Sequence, residues 1–406
     1  MNIIQLAIPL FFLLIFLELV WAFYKNKKIY TLSDAFANIG CGITEQLSGL
    51  VVNVITVGTY SWIYHNWSLI NLPDSGFYLF ILFLCLDFSY YWAHRMSHQI
   101  NLFWIGHSIH HQSESYNLSV ALRQGALQKL FTLPFFLWMA FIGFNDTWFL
   151  FIYALNTLYQ FWIHTESIRT LPKWFEFVFN TPSHHRVHHG RNPQYIDKNH
   201  GGSLIIWDRI FGTFEAENEI VIYGITSRIS TWNPLLAHWI PVRDLIRLLR
   251  QTPFTKWHLA LFYSPSWLHR NEHSLKNGVG LKSEFKSFLP TPLLIYALVH
   301  FVIFIGTISF FLFVSLKNIG FLHMAGFVLV FLIQLGLLAR LFENSGSKFF
   351  VEIFRLVLLA MLFYVILGHG YLSGILVFLS IQLFFLWVPF KYRAQSFISH
   401  QANALY

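Results

Sequence analysis

The strongest constraint on this chain is a series of apolar runs, each long enough to cross the hydrocarbon core of a bilayer, which is about 30 Å thick. Backbone polar groups inside lipid must find partners within their own segment, so such runs predict helices. The sequence therefore predicts an integral, all-α polytopic membrane protein with about nine transmembrane helices. The predicted spans cover residues 3–23, 40–63, 76–93, 126–144, 147–163, 292–316, 319–339, 352–369 and 371–390.

Composition supports this class and excludes others. Only 11% of the residues are charged, whereas a soluble domain has roughly 25%. An ordinary soluble enzyme and a nucleic-acid-binding module are therefore excluded. The protein is expected to lie within membrane lipid. The net charge of +8 is explained by lysines and arginines that collect in cytoplasmic loops.

The distribution of charge also predicts orientation and domain limits. Lys25, Lys27 and Lys28 follow the first span, so that end is expected to face the cytoplasm. Counting spans alternately then assigns the polar stretch 165–290 to the cytoplasm. A seam near residue 290 predicts two parts, a histidine-rich membrane domain over 1–290 and a C-terminal transmembrane bundle over 291–406.

The histidines are numerous and unevenly spread. The chain has 20 of them, and eleven lie between His94 and His200. Three clusters have helical spacing, in which residues three or four apart share a face. By the predicted topology, all three lie at the cytoplasmic face and can converge on one site. The clusters are His94 with His98, His107 with His110 and His111, and His185 with His188 and His189.

Eight imidazoles without a nearby cysteine favour borderline metals, chiefly iron or zinc. They are too many for one tetrahedral ion, so they predict two metals. The third cluster also carries helix signals, with Thr181 as N-cap, Pro182 at the first position and Gly190 just after the end. We therefore expect a two-turn helix over 182–189.

Further residues are candidates for the same site. His164, at the end of the fifth span, is a candidate ninth ligand. Asp87 lies on one helical stripe with His94 and His98, and we expect its carboxylate to orient a metal-bound imidazole. His184, Asp197, Asn199 and His200 are candidates for supporting roles around the ligands.

These clusters resemble the histidine boxes of the fatty acid hydroxylase/sterol desaturase superfamily of membrane di-iron enzymes. Four longer strings, over 116–124, 158–166, 180–192 and 210–219, look like the alkylglycerol monooxygenase branch of that superfamily. The resemblance implies hydroxylation of the alkyl carbon beside the ether oxygen of alkylglycerol-type lipids, giving a fatty aldehyde and a glycerol derivative. It also implies O₂ and tetrahydrobiopterin as co-substrates, and two Fe ions bound by His94, His98, His107, His110, His111, His185, His188 and His189, with His164.

The sequence departs from the branch at two positions. Gln99 stands where the branch has an acidic residue, and His200 stands where it has a tyrosine. Gln99 is thus the candidate contact to the electron donor, and its replacement of an acid bears on the pterin assignment but not on the irons.

Two other functions would also use clustered histidines as metal ligands. A di-iron hydroxylase or desaturase acting on a fatty acyl, sterol or carotenoid chain would share all the ligands. A zinc or iron transporter would instead need polar ligands spread through the depth of the membrane. Because the clusters gather at one face, the sequence favours an enzyme.

Overall fold

The computed structural model describes residues 3–227, 229–265, 289–315, 320–343, 349–367 and 372–385. Within these ranges the regular structure is helical, apart from two isolated β-bridges. Part of the predicted cytoplasmic stretch, residues 266–288, lies outside the described residues. In chain order, the helices that build the histidine-rich part are α1 Ile3–Tyr24, α2 Leu32–Trp67, α3 Gly76–Gln99, α4 Asn101–His111, α5 Gln128–Thr132, α6 Leu137–Ile142, α7 Asp146–Trp162, α8 Lys173–Val178, α9 Pro182–His188, α10 Ile206–Ile210, α11 Pro234–Gln251 and α12 Trp257–Phe262.

Five of the described helices are long and apolar enough to cross a membrane, which confirms a multi-span helical membrane protein. They match the predicted spans 3–23, 40–63, 76–93, 292–316 and 319–339. The second is longer than predicted, because its polar first turns pack inside the protein rather than against lipid. The five segments are Leu6–Tyr24, Leu32–Trp67, Gly76–Gln99, Thr291–Phe313 and Phe321–Phe342.

The predicted span over 126–144 is not one continuous helix. The segment divides into α5, a 3₁₀ turn over Leu133–Phe135 and α6. Pro134 lies in the 3₁₀ turn, where its missing N–H and its ring disfavour a continued α-helix. Gly143 then ends α6 with a left-handed φ of 117°, a conformation that favours glycine.

The other three predicted spans correspond to helices of 17, 19 and 13 residues. α7 is a single helix of 17 residues. The spans 352–369 and 371–390 correspond to Phe349–Leu367 and Leu372–Phe384. Residues 386–390 of the last one lie outside the described residues.

The chain divides into two compact units. One contains residues 1–229 and 236–284, and the other contains 230–235 and 285–406. In the first unit, an apolar core forms where α2, α3, α6 and α7 meet. This core fixes the C-terminal half of α3, which carries the first histidine cluster. Its buried members are Tyr60, Ile63, Leu82, Leu86, Ala93, Phe136, Met139, Ala140, Phe144, Phe149 and Ile152.

The second unit contains a buried charge pair within the helix Phe349–Leu367. Nε of Arg355 donates to both carboxylate oxygens of Glu352 at 3.0 Å. The hydroxyl of Tyr296 donates to the same carboxylate at 2.8 Å. A buried charge is costly unless it is paired, and here the partner lies one turn away on the same helix.

Helix α4 packs unusually closely against the loop at Gly125. A Cβ added at Gly125 would lie 1.8 Å from the carbonyl oxygen of Gly106, a residue of α4. Only glycine allows this approach, which brings the loop beside the second histidine cluster. The loop also supplies the Arg123 carbonyl, which accepts a hydrogen bond from His110.

We predict that Gly125→Ala destabilises the protein by about 3 kcal/mol, because the added methyl group must push the loop away from α4. Gly58→Ala is the matched control, since its added Cβ meets no atom within 4 Å. That replacement should leave the stability unchanged or raise it by up to about 1 kcal/mol. Thermal unfolding of the two variants in detergent measures the difference, and equal melting temperatures would contradict the close contact.

Candidate metal centre

Four segments carry the histidines of the candidate site. The last turns of α3 hold His94 and His98, and α4 holds the second cluster. His185 and His188 of the third cluster lie on α9, and His189 directly follows its last residue. α9 begins at Pro182, after Thr181, which confirms the predicted two-turn helix to within one residue at its end. His164 follows the C-terminal end of α7.

The structure brings all nine predicted ligands into two groups, and in each group one side-chain nitrogen per residue lies within 4.8 Å of all the others. All nine side chains are buried. The groups adjoin, because the ring of His111 stacks on the ring of His189 with centroids 4.4 Å apart. The first group is His94, His98, His107, His111 and His188, and the second group is His110, His164, His185 and His189.

The spacing within each group fits ligation of one metal ion per group. Imidazole nitrogens about 2.1 Å from a shared ion and at right angles to each other would be roughly 3 Å apart. In the first group, the Nε2 atoms of His94 and His107 are 2.9 Å apart. In the second group, Nε2 of His164 lies 3.2 Å from Nε2 of His110 and 2.9 Å from Nε2 of His185.

Backbone carbonyls orient several of these rings. The Nδ1–H groups of four histidines each donate to a carbonyl at 2.7–2.9 Å. This bond fixes the tautomer, so the Nε2 lone pair is left for a metal. Within the described part of the chain, Nε2 of His188 is buried and has no hydrogen-bond partner. The pairs are His94 with the carbonyl of His200, His110 with that of Arg123, His164 with that of Gln160, and His188 with that of Lys198.

Burial keeps these imidazoles neutral. It lowers the pKa of His110 to about 4. The pKa values of His107, His111 and His185 also fall well below the usual histidine value, first through burial and then through neighbouring imidazoles. A neutral imidazole has a lone pair to offer, so the groups can bind metal at neutral pH without losing protons.

Asp87 supports the site through the backbone, which differs from the expected direct contact with an imidazole. Its carboxylate accepts hydrogen bonds from the backbone N–H groups of Ser203 and Leu204 at 2.7 and 3.1 Å. It also accepts from the side chains of Asn156 and Trp207. Asp87 lies seven residues before His94, too far down α3 to reach the ring, and instead anchors the segment that supplies the carbonyl of His200.

The segment 197–200 lies against the first group of histidines. Asp197 and Asn199 both have left-handed φ values, of 57° and 55°. The Asn199 amide stabilises this shape by donating to the carbonyl of His184 at 3.0 Å. The ring of His98 lies 3.6 Å from the Asp197 carboxylate. Asp197 therefore contacts a candidate ligand directly, and Asn199 stabilises the backbone of the same segment.

His200 and His184 are buried beside the site but are not members of either group. The ring of His200 lies 5.2 Å from that of His98, between centroids. The ring of His184 packs against Phe214 instead. Gln99 is the last residue of α3 and is partly buried, so its contact to an electron donor stays a prediction.

The sequence pattern does not single out several residues that support the site. Arg123 is buried, and its guanidinium donates to the carbonyl of Ile109 at 2.7 Å, inside α4. Asp208 accepts from the backbone N–H groups of His200 and Gly201, both at 2.7 Å. In both cases a charged residue within an apolar stretch of sequence is the available signal, but the sequence does not show which backbone groups that residue binds.

Glu18 of α1 is a further buried carboxylate beside the second group. It accepts from the N–H of Leu118 at 2.8 Å and from the hydroxyls of Tyr30, Thr165 and Ser167. Thr165 directly follows His164, so Glu18 ties α1 to the segment that carries this candidate ligand.

Comparison with known proteins agrees with the geometry. Residues 79–213 match the fatty acid hydroxylase family, and this range contains all nine histidines of the two groups. The chain is 45% identical over 273 residues to the alkylglycerol monooxygenase of Homo sapiens, which covers 65% of this chain and 60% of that protein. It is 41% identical over 266 residues to that of Xenopus tropicalis, with 65% and 59% covered.

A third relative, the alkylglycerol monooxygenase of Danio rerio, is 43% identical over 228 residues, covering 56% of this chain and 51% of that protein. The matched part of the chain thus spans 60% or less of the length of these relatives. No solved structure matches the chain. The resemblance to the alkylglycerol monooxygenase branch is confirmed by these similarities.

We predict that His110→Ala lowers the iron bound per chain by roughly half, because one of the two groups loses a ligand. His65→Ala is the control, since the side chain of His65 is 63% exposed and lies outside both groups. Iron measured per purified chain tests the difference. An unchanged iron content in His110→Ala would contradict ligation by the second group.

We predict that Asp87→Asn lowers metal affinity by about 10- to 100-fold, the usual effect of removing a group that holds ligands in place. An asparagine cannot accept all four hydrogen bonds, so the segment carrying the His200 carbonyl should shift. Asp74→Asn, at an exposed position, should have no effect. The iron that each variant retains during dialysis against a chelator measures the loss of affinity. Equal retention by the two variants would contradict the role assigned to Asp87.

Proposed function

We propose that this protein is a membrane monooxygenase that hydroxylates the alkyl carbon beside the ether oxygen of alkylglycerol-type ether lipids. The observation that carries the proposal is the pair of buried histidine groups inside the segment that matches the fatty acid hydroxylase family. The similarity to alkylglycerol monooxygenases supports an ether lipid as the substrate rather than a fatty acyl or sterol chain.

The two groups would each hold one iron ion. His94, His98, His107, His111 and His188 would bind the first, and His110, His164, His185 and His189 the second. When bound, iron supplies the redox chemistry with O₂ that amino-acid side chains lack. The chain itself would keep the imidazoles neutral, fix their tautomers through backbone carbonyls and exclude water by burial.

The reaction would end in the cleavage of the ether. Hydroxylation of the alkyl carbon gives a hemiacetal. Its C–O bond to the glycerol oxygen then breaks, as the hydroxyl proton leaves and the glycerol oxygen gains a proton. The products are a fatty aldehyde and a free glycerol hydroxyl.

Each turnover needs two electrons in addition to O₂, because one oxygen atom leaves as water. The resemblance supports tetrahydrobiopterin as the donor, and we propose that it approaches the end of α3. Gln99 follows His98 directly and is partly buried there. An amide can exchange hydrogen bonds with a pterin, whereas it cannot act as a carboxylate base.

We also propose that the site faces the cytoplasm. Lys25, Lys27 and Lys28 follow α1 directly, and basic residues favour the cytoplasmic side. If α1, α2 and α3 alternate across the bilayer, then the C-terminal end of α3, with His94 and His98, lies on the same side. The count of nine spans stays a prediction, since α5 and α6 are each too short to span.

We predict that the purified, iron-loaded protein forms a fatty aldehyde from an alkylglycerol in the presence of O₂ and tetrahydrobiopterin. The matched acylglycerol, with an ester in place of the ether, should give no aldehyde, because its carbonyl carbon has no hydrogen to remove. His110→Ala should also be inactive. Aldehyde trapping with mass spectrometry measures the product.

Two outcomes would contradict the proposal. Aldehyde formed equally by the wild type and His110→Ala would show that the second group is not involved. Iron-dependent oxidation of a fatty acyl or sterol chain, with no aldehyde from the ether lipid under any reductant, would favour the alternative substrate class.

A further inference from the structure

Two stacked tyrosines lead away from the second histidine group. The rings of Tyr116 and Tyr223 are nearly parallel, at 11°, with centroids 4.9 Å apart. The ring of Tyr116 also lies 5.3 Å from that of His189 and 5.8 Å from that of His164, between centroids. An unbroken series of aromatic rings therefore runs from the candidate ligands to Tyr223.

The two phenols have different hydrogen-bond acceptors. The Tyr116 hydroxyl donates to the backbone carbonyl of Ile163 at 3.0 Å. The Tyr223 hydroxyl donates to the carboxylate of Glu166. A tyrosine loses an electron readily only when its phenolic proton leaves at the same time. A carboxylate can take that proton and a backbone carbonyl cannot, so Tyr223 is the easier of the two to oxidise.

The series also ends near the surface. Tyr116 is only 2% exposed, Tyr223 is partly buried, and the Glu166 side chain is 17% exposed. Arg169, which is 68% exposed, lies 3.4 Å from Glu166 and pairs with it. A radical formed on Tyr223 would therefore be accessible to small reductants in solution.

We propose that Tyr116 and Tyr223 carry oxidising equivalents out of the site when O₂ is consumed without a lipid substrate. The oxidant in this scheme is supplied by the proposed monooxygenase function, so the inference rests on that function for its physiological role. The path would protect the buried histidines from oxidation during such unproductive turnover.

The step balances in electrons and protons. Tyr223 loses one electron and its hydroxyl proton and becomes a neutral phenoxyl radical. The electron passes through Tyr116 to the oxidised iron that the second histidine group would hold, and that iron would be reduced by one electron. The O–H bond of Tyr223 breaks, and its proton moves to Glu166. A small thiol or ascorbate-type reductant then donates a hydrogen atom to the radical, and the Glu166 proton returns to solvent.

The test uses the full-length, iron-loaded protein in detergent, mixed with hydrogen peroxide and no lipid, then frozen. We expect a tyrosyl radical by electron paramagnetic resonance, with hyperfine structure that narrows in protein labelled with ring-deuterated tyrosine. Tyr223→Phe keeps the stacked ring but has no phenolic proton, so it should lose this signal. Glu166→Gln should also lose it, because the proton has no acceptor.

Tyr90→Phe is the matched control. Its ring lies 5.4 Å from that of His94, against the first group and apart from the stacked pair. This variant should keep the signal of the wild type. Only variants that bind as much iron as the wild type are compared, so a loss of signal cannot reflect a misfolded site.

A second measurement tests whether the tyrosine pair protects the site from oxidation. Peptide mass spectrometry after repeated peroxide treatment should find more oxidised side chains around the second group in Tyr223→Phe than in Tyr90→Phe. Equal damage in the two variants would overturn the inference. So would the absence of a tyrosyl radical in the iron-loaded wild type, or the same radical in Tyr223→Phe. Because these assays use peroxide and no ether lipid, a failure of the inference is distinguishable from a failure of the proposed function.

Discussion

The convergence of nine buried imidazoles is the constraint on which the rest of the first unit depends. Their nitrogens come from four segments and meet at separations near 3 Å, as between Nε2 of His94 and Nε2 of His107 at 2.9 Å. Neutral imidazoles repel through their lone pairs at this distance unless a proton or a cation lies between them. The surrounding fold must therefore hold the rings in place, and for four of the nine it does so with backbone carbonyls that accept from Nδ1.

Two of those carbonyls, of His200 and Arg123, lie in segments that are held by buried charged groups. Asp87 anchors the segment before α10, Asp208 binds the N–H of His200, and Arg123 binds α4. A buried charge is stable only when hydrogen bonds satisfy it. Each of these residues meets that condition by binding main-chain atoms near a ligand. The energetic cost of burying charge is thus offset by the same hydrogen bonds that shape the candidate metal centre.

The sequence predicted the parts of this arrangement that depend on local periodicity. Histidines three or four residues apart must share a helix face, so the three clusters and the helix at 182–188 could be foreseen. The break of the 126–144 segment could not, because hydropathy does not register a 3₁₀ turn at Pro134. The hydrogen bonds from the N–H groups of Ser203 and Leu204 to Asp87, and the stack of Tyr116 on Tyr223, join residues more than 100 positions apart. Such contacts depend on tertiary packing, which a single sequence does not reveal.

The central claim is that the two histidine groups are two separate metal sites. Anomalous X-ray diffraction at the iron absorption edge, on crystals of the iron-loaded protein, tests it most directly. The account predicts two iron peaks per chain, one among His94, His98, His107, His111 and His188, and the other among His110, His164, His185 and His189. A single peak, or iron bound elsewhere in the chain, would contradict it.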